Sequence, residues 1–207
     1  MTGPASYPGL NLIDSNDVTR KETEVVVFGF WVFLMSDLVM FGLFFATYVT
    51  MSGNLAQGPG PQQVFDLTSV AWQTACLLAS SFAMGMASLA LKHDGDRSGR
   101  LMLWLGVAGV LAAAFLVLEL QDFSRMASLG GVPWRSGFLS AYYGLVGLHG
   151  FHVACGLLWL LLMMAKIASS SLTDPVRSRL LRLALFWHFL DVVWIGIFSV
   201  VFLAGVA

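Results

Sequence analysis

Seven ionisable residues lie in or at the edge of long apolar runs, and they are the ones that could do chemistry: Asp37, Glu119, Asp122, His149, His152, His188 and Asp191. Six of them form pairs three residues apart, Glu119/Asp122, His149/His152 and His188/Asp191. On a helix, that spacing puts both members of a pair on one face. One chemistry this could serve is metal or haem ligation. His149 or His152 would then face His188 across a haem, because axial ligands must approach from opposite sides. His149, His152, His188 and Asp191 would also suffice in number for a non-haem metal. The set nevertheless lacks the Glu-x-x-His pairs of carboxylate-bridged metal bundles. A second chemistry is a proton relay through Asp37 and Asp191, although a relay normally needs a longer chain of such groups. The plainer use is interhelical hydrogen bonding, at about 0.6–2 kcal/mol per contact. No phosphate loop, nucleophile elbow or dinucleotide fingerprint accompanies these residues, so neither catalytic nor metal-ligating residues are expected in this chain. His93 falls in a charged loop and reads as solvated.

The elements that must position these groups are membrane helices. Of the 207 residues, 57% are hydrophobic and 11% are charged, against about 25% charged in a soluble domain. A spanning helix needs about 20 mostly apolar residues, and five stretches meet that: 25–51, 67–91, 101–118, 136–165 and 183–207. They are far longer than the alternating strands of a membrane β-barrel. The expected fold is an all-α integral membrane protein with a polar tail, residues 1–24, before a five-helix domain, residues 25–207. The tail has no short apolar stretch followed by a small-residue cleavage site, so the first span is expected to stay in the mature protein. A net charge of −1 gives no sign of nucleic-acid binding.

Basic residues set the orientation. Arg20, Lys21, Lys92, Arg97, Arg100, Lys166, Arg177, Arg179 and Arg182 fall on one side, and Arg125 and Arg135 on the other. The N-terminus is therefore expected in the cytoplasm and the C-terminus in the periplasm. Arg179 and Arg182 stand just before the last span, where arginine can grip a lipid phosphate, and they are candidates for an anionic headgroup site. Most tryptophans sit near span ends, as an interfacial belt requires, with Trp187 counted among them and Trp194 the exception. Ser80, Ser81, Gly85 and Ser88 in the second span, and Gly144, Gly147 and Gly150 in the fourth, would let helices approach closely. Cys76 and Cys155 read as small unpaired side chains in apolar runs.

Phe186-Trp187-His188-Phe189-Leu190-Asp191-Val192-Val193-Trp194 resembles the last-helix signature of subunit III of haem–copper respiratory oxidases. The segment from Arg135-Ser136-Gly137-Phe138 to Gly147-Leu148-His149-Gly150-Phe151-His152-Val153 is similar to that family's fourth helix in its five-helix branch. Gly29-Phe30-Trp31, Met35-Ser36-Asp37 and Phe45-Ala46-Thr47-Tyr48 resemble its first. The likeness covers about residues 26–207, and five helices fit the branch found in cytochrome bo-type ubiquinol oxidases. One departure is Gln73, where many relatives carry an acid. The resemblance implies a bacterial inner-membrane complex that oxidises ubiquinol, reduces dioxygen to water and pumps protons in aerobic respiration. It also implies that haems and copper reside in subunit I, that this chain holds no cofactor, and that it binds phospholipid and supports assembly and sustained turnover. Ubiquinol is then used by the complex and not bound here.

Overall fold

In the computed structural model, which describes residues 8–56, 58–93, 98–169 and 173–206, helices account for nearly all of the described residues. They are α1 (Pro8–Met51), the short α2 (Pro61–Val64), α3 (Leu67–His93), α4 (Ser98–Ser128), α5 (Gly137–Ser169) and α6 (Asp174–Ile197). A π-helical turn, Phe198–Leu203, and α7 (Ala204–Val206) complete the last rod. Five helices are long and apolar enough to cross a membrane: Val25–Met51, Leu67–Leu91, Gly99–Ser128, Gly137–Ser169 and Pro175–Leu203. No strand occurs among the described residues. Residues 1–7 of the tail and Arg97 lie outside them.

The helix ends have local causes. Pro61 follows the extended Gly60 and opens α2, where a missing N–H costs nothing. Thr173 caps α6 in an extended conformation, and its carbonyl accepts from the Val176 and Arg177 N–H groups. The third span runs past Glu119 and Asp122 to Ser128. The stop is set instead by Gly130, at φ +79°, with the Gly131 N–H closing on the Met126 carbonyl; only glycine takes that conformation cheaply. The first helix likewise begins at Pro8, so residues 8–24 continue the rod of the first span.

The long helices pack as a ring: α3 on α4, α4 on α5, α5 on α6, and α6 back on α3. α1 stands outside the ring, against α5 and α6, and is the least buried of the five spans. α6 touches three neighbours and is the most buried. Without a hydrophobic driving force between helices in lipid, close packing and hydrogen bonds hold such a bundle. Phe44 of α1 lies 3.2 Å from where a Gly144 Cβ would stand, and Phe45 3.0 Å from the same point at Gly196. Phe186 of α6 fills the equivalent space at Gly156, at 3.1 Å. The Tyr48 hydroxyl donates to the Val201 carbonyl of the π turn at 3.5 Å, tying α1 to the far end of the last rod.

Candidate functional site

The seam between α3 and α6 is built on indole N–H groups. Trp187 donates to Ser80 Oγ at 2.9 Å, and Ser80 passes the bond on to the Ala108 carbonyl of α4, also at 2.9 Å. Trp194 donates to Thr74 Oγ1 at 3.0 Å. The partners descend α3 as the tryptophans ascend α6, as antiparallel neighbours must. Trp187 is buried, so it belongs to the core and not to the interfacial belt in which its position along the chain had placed it. The face that a residue occupies decided this, not its distance from the helix end.

The histidines go to three separate partners. His149 is fully buried; it stacks on Trp194 with ring centroids 5.2 Å apart and meets Phe115 edge-on at 5.8 Å. Neither of its ring nitrogens has a hydrogen-bond partner among the described residues. His152, one turn on, donates from Nδ1 to the Leu148 carbonyl at 2.8 Å. A carbonyl can only accept, so that nitrogen carries its hydrogen. Nε2 then faces Asp37 of α1, 3.8 Å from Oδ2. His188 meets Ser81 Oγ through Nδ1 at 2.7 Å and stands 3.8 Å from Asp191 Oδ2. The fold thus joins Asp37 to His152 and His188 to Asp191, but does not gather the helix-5 and helix-6 histidines around one point. Among the described residues, no three His, Cys, Asp or Glu side chains are grouped so as to hold a metal ion.

The carboxylates of α4 diverge in spite of their shared face. Asp122 reaches α3, accepting from Ser69 Oγ at 2.8 Å and Gln73 Nε2 at 2.6 Å. Arg125 adds charge at 3.7 Å from both Asp122 and Asp66 and donates to the Val64 carbonyl. Here Gln73 supplies a donor where an acid would set like charges against each other. Glu119 turns the other way and lies flat over Gly150 of α5, its two oxygens unbonded among the described residues. At the opposite end of the bundle, Lys166 of α5 joins Arg179 and Arg182 of α6 around a recess of about 440 Å³, with Trp159 on its wall. In the sequence Lys166 counts only as an orienting charge and not as a headgroup candidate; it approaches the arginines because α5 and α6 pack side by side.

The Asp37–His152 pair, 3.8 Å apart, is a second polar contact between α1 and the other helices, beside the Tyr48 hydrogen bond. A double-mutant cycle with Asp37→Leu and His152→Leu is expected to give a coupling of about 0.6–1.7 kcal/mol, the range for intramembrane polar pairs. Unfolding in mixed micelles measures it, and additive single effects would show that the pair contributes nothing.

The sequence matches the family described as cytochrome c oxidase subunit III over residues 15–206. It is 46% identical over 179 residues to the cytochrome bo(3) ubiquinol oxidase subunit 3 of Pseudomonas aeruginosa, covering 86% of this chain and 85% of that one. The protein of the same name from Pseudomonas putida is 44% identical over 183 residues, covering 88% and 87%. The cytochrome c oxidase subunit 3 of Bacillus sp. strain PS3 is 38% identical over 177 residues, covering 86% and 84%. Five spanning helices and bacterial relatives of this kind make it a multi-pass protein of the bacterial inner membrane. A match over nearly the whole chain, carried by the helices that build the Trp187 and Trp194 seam, places this chain in the cytochrome c oxidase subunit III family.

Proposed function

We propose that this chain is the non-redox subunit III of a cytochrome bo-type ubiquinol oxidase. It supports assembly and sustained turnover beside a subunit I that carries the haems and copper. The observation that carries this reading is the 46% identity, over 86% of the chain, to a bo(3) ubiquinol oxidase subunit 3. The histidine geometry agrees with it. Each intramembrane imidazole is taken up by its own local neighbours: Trp194 for His149, Asp37 for His152 and Ser81 for His188. Asp37, Glu119, His149, His152, His188 and Asp191 then act in packing and not in catalysis. The test is purification through a tag on this chain. The complex is expected to carry haem and quinol-dependent oxygen consumption, while the chain expressed alone carries no haem absorbance. Haem retained by the lone chain and lost in His188→Ala would overturn the reading.

The tail, residues 1–24, is cytoplasmic in this proposal, the membrane domain spans 25–207, and the C-terminus is periplasmic. The nine-to-two split of basic residues supports it. In a variant with Cys76 and Cys155 replaced, a cysteine added after Ala207 is expected to react with an impermeant maleimide from the periplasm. Reaction only after the inner face is opened would reverse the topology.

The recess lined by Lys166, Arg179 and Arg182 then faces the cytoplasmic leaflet and takes an anionic phospholipid headgroup. Three cations around one cavity, with Trp159 at its wall, support this use. Arg179→Ala/Arg182→Ala is expected to lower the anionic lipid retained by the complex in native mass spectrometry. Unchanged retention would leave these residues as topological anchors only.

A further inference from the structure

His188 stands in a place that hydrocarbon cannot satisfy. It is the fourteenth of the 29 residues in its span, and Ser81, its partner on α3, is the fifteenth of 25. At 1.5 Å per residue His188 is about 20 Å from either end of its span, which puts it near the middle of the span's length. Its side chain is 49% exposed on the outer side of the α3–α6 seam. Nδ1 is engaged by Ser81, and no partner for Nε2 occurs among the described residues. Beneath it, Asp191 is only 6% exposed, and neither of its carboxylate oxygens has a hydrogen bond among the described residues. Lipid tails offer no hydrogen bond, and ionisable groups at this depth face protein or water.

The surface around His188 has the shape of a helix seat. At Gly85, one turn from Ser81, no atom among the described residues beyond its own helix backbone lies within 4 Å of where a Cβ would be. The chain therefore does not use this small residue for its own packing. A recess of about 500 Å³ follows toward the end of the groove, lined by Ser88, Leu89 and Leu91 of α3 and by Leu181 and the charged Arg177 of α6. Phe82 of α3, edge-on to Trp104 of α4, and Val192 of α6, one turn from His188, are both exposed. A small-residue floor allows a helix backbone to approach closely, and a polar residue at its centre sets the register.

We infer that the α3–α6 groove is the face on which a transmembrane helix of another subunit docks, presenting a hydrogen-bonding side chain to His188 at mid-span. The inference rests on the subunit reading above. A helix is the occupant because it brings apolar bulk to the middle of the groove, a polar group opposite His188 and its own backbone hydrogen bonds satisfied, while its end meets Arg177 in the recess. Asp191, through its contact with the imidazole, acts as a positioning residue that holds His188 toward the partner.

The experiment uses the assembled oxidase, purified through a tag on another subunit. A Cβ added at Gly85 has no atom within 4 Å beyond its own helix backbone among the described residues, so Gly85→Leu is expected to block the seat, with the amount of chain in the membrane as the check that the fold is intact. His188→Leu removes the central hydrogen bond. Each is expected to reduce retention of this chain in the complex to about a tenth, with unchanged amounts in the membrane by immunoblot. Val110→Trp, on the exposed face of α4, is expected to leave retention unchanged. A benzophenone amino acid at position 85 is expected to cross-link to another subunit in the intact complex. Full retention of Gly85→Leu, with position 85 cross-linking to lipid alone, would overturn the docking face. So would a quinone bound by the wild-type complex and lost in a fully retained His188→Leu. Absence of the wild-type chain from the purified oxidase would instead sink the subunit reading itself.

Discussion

Replacing Trp194 by alanine is expected to destabilise the bundle by about 3–5 kcal/mol, the range for emptying a large aromatic site in a packed core. Trp194 is fully buried at the meeting point of four elements. Its ring stacks on His149 of α5, meets Phe115 of α4 edge-on at 4.7 Å and contacts Phe202 of the π turn, while its N–H bonds to Thr74 of α3. Alanine would empty that volume, leave Thr74 Oγ1 without its donor and expose one face of His149 to a void. Trp194→Phe keeps most of the packing and loses the hydrogen bond, so about 1–2 kcal/mol is expected. Detergent unfolding monitored by circular dichroism separates the two. Equal losses for both variants would mean that the hydrogen bond, and not the packing, carries the effect.

Adding one methyl group at Gly150 is expected to cost about 1–3 kcal/mol, the usual scale of overpacking. A Cβ there would stand 2.6 Å and 2.7 Å from the two carboxylate oxygens of Glu119 and 2.9 Å from the carbon between them. The carboxyl is the flexible end of its side chain, but it is enclosed, with 3% of the residue exposed, so it has little room to retreat. Glu119→Ala in the same chain removes the colliding atoms. Gly150→Ala is therefore expected to be nearly neutral in the Glu119→Ala background. Unfolding of the four members of this cycle measures the coupling. If Gly150→Ala costs the same in both backgrounds, its penalty comes from the helix backbone and not from the carboxyl.

The number of membrane helices, their order and the identity of their intramembrane polar residues were all legible in the sequence. The reason is that a lipid solvent demands long uninterrupted apolar runs, and any acid or histidine within one stands out. Helix ends were legible only in part. Glu119 read as the close of an apolar run, yet backbone hydrogen bonds carry α4 on to Ser128, and the turn at Gly130 stops it. Which polar groups meet was not legible, because partners such as Asp37 and His152, or Trp187 and Ser80, lie about a hundred residues apart on different helices. Spacing of three residues put His149 and His152 on one face, but packing sent one to an aromatic box and the other to a carboxylate. Glu119 and Asp122 parted in the same way, toward α5 and α3. Periodicity gives the direction of a side chain about its own axis. Only the rotation of each helix against its neighbours decides what that direction meets. In lipid this rotation is chosen by small residues such as Gly144, Gly150 and Gly196, whose opposing side chains cannot be read from a hydropathy pattern that is apolar on every face.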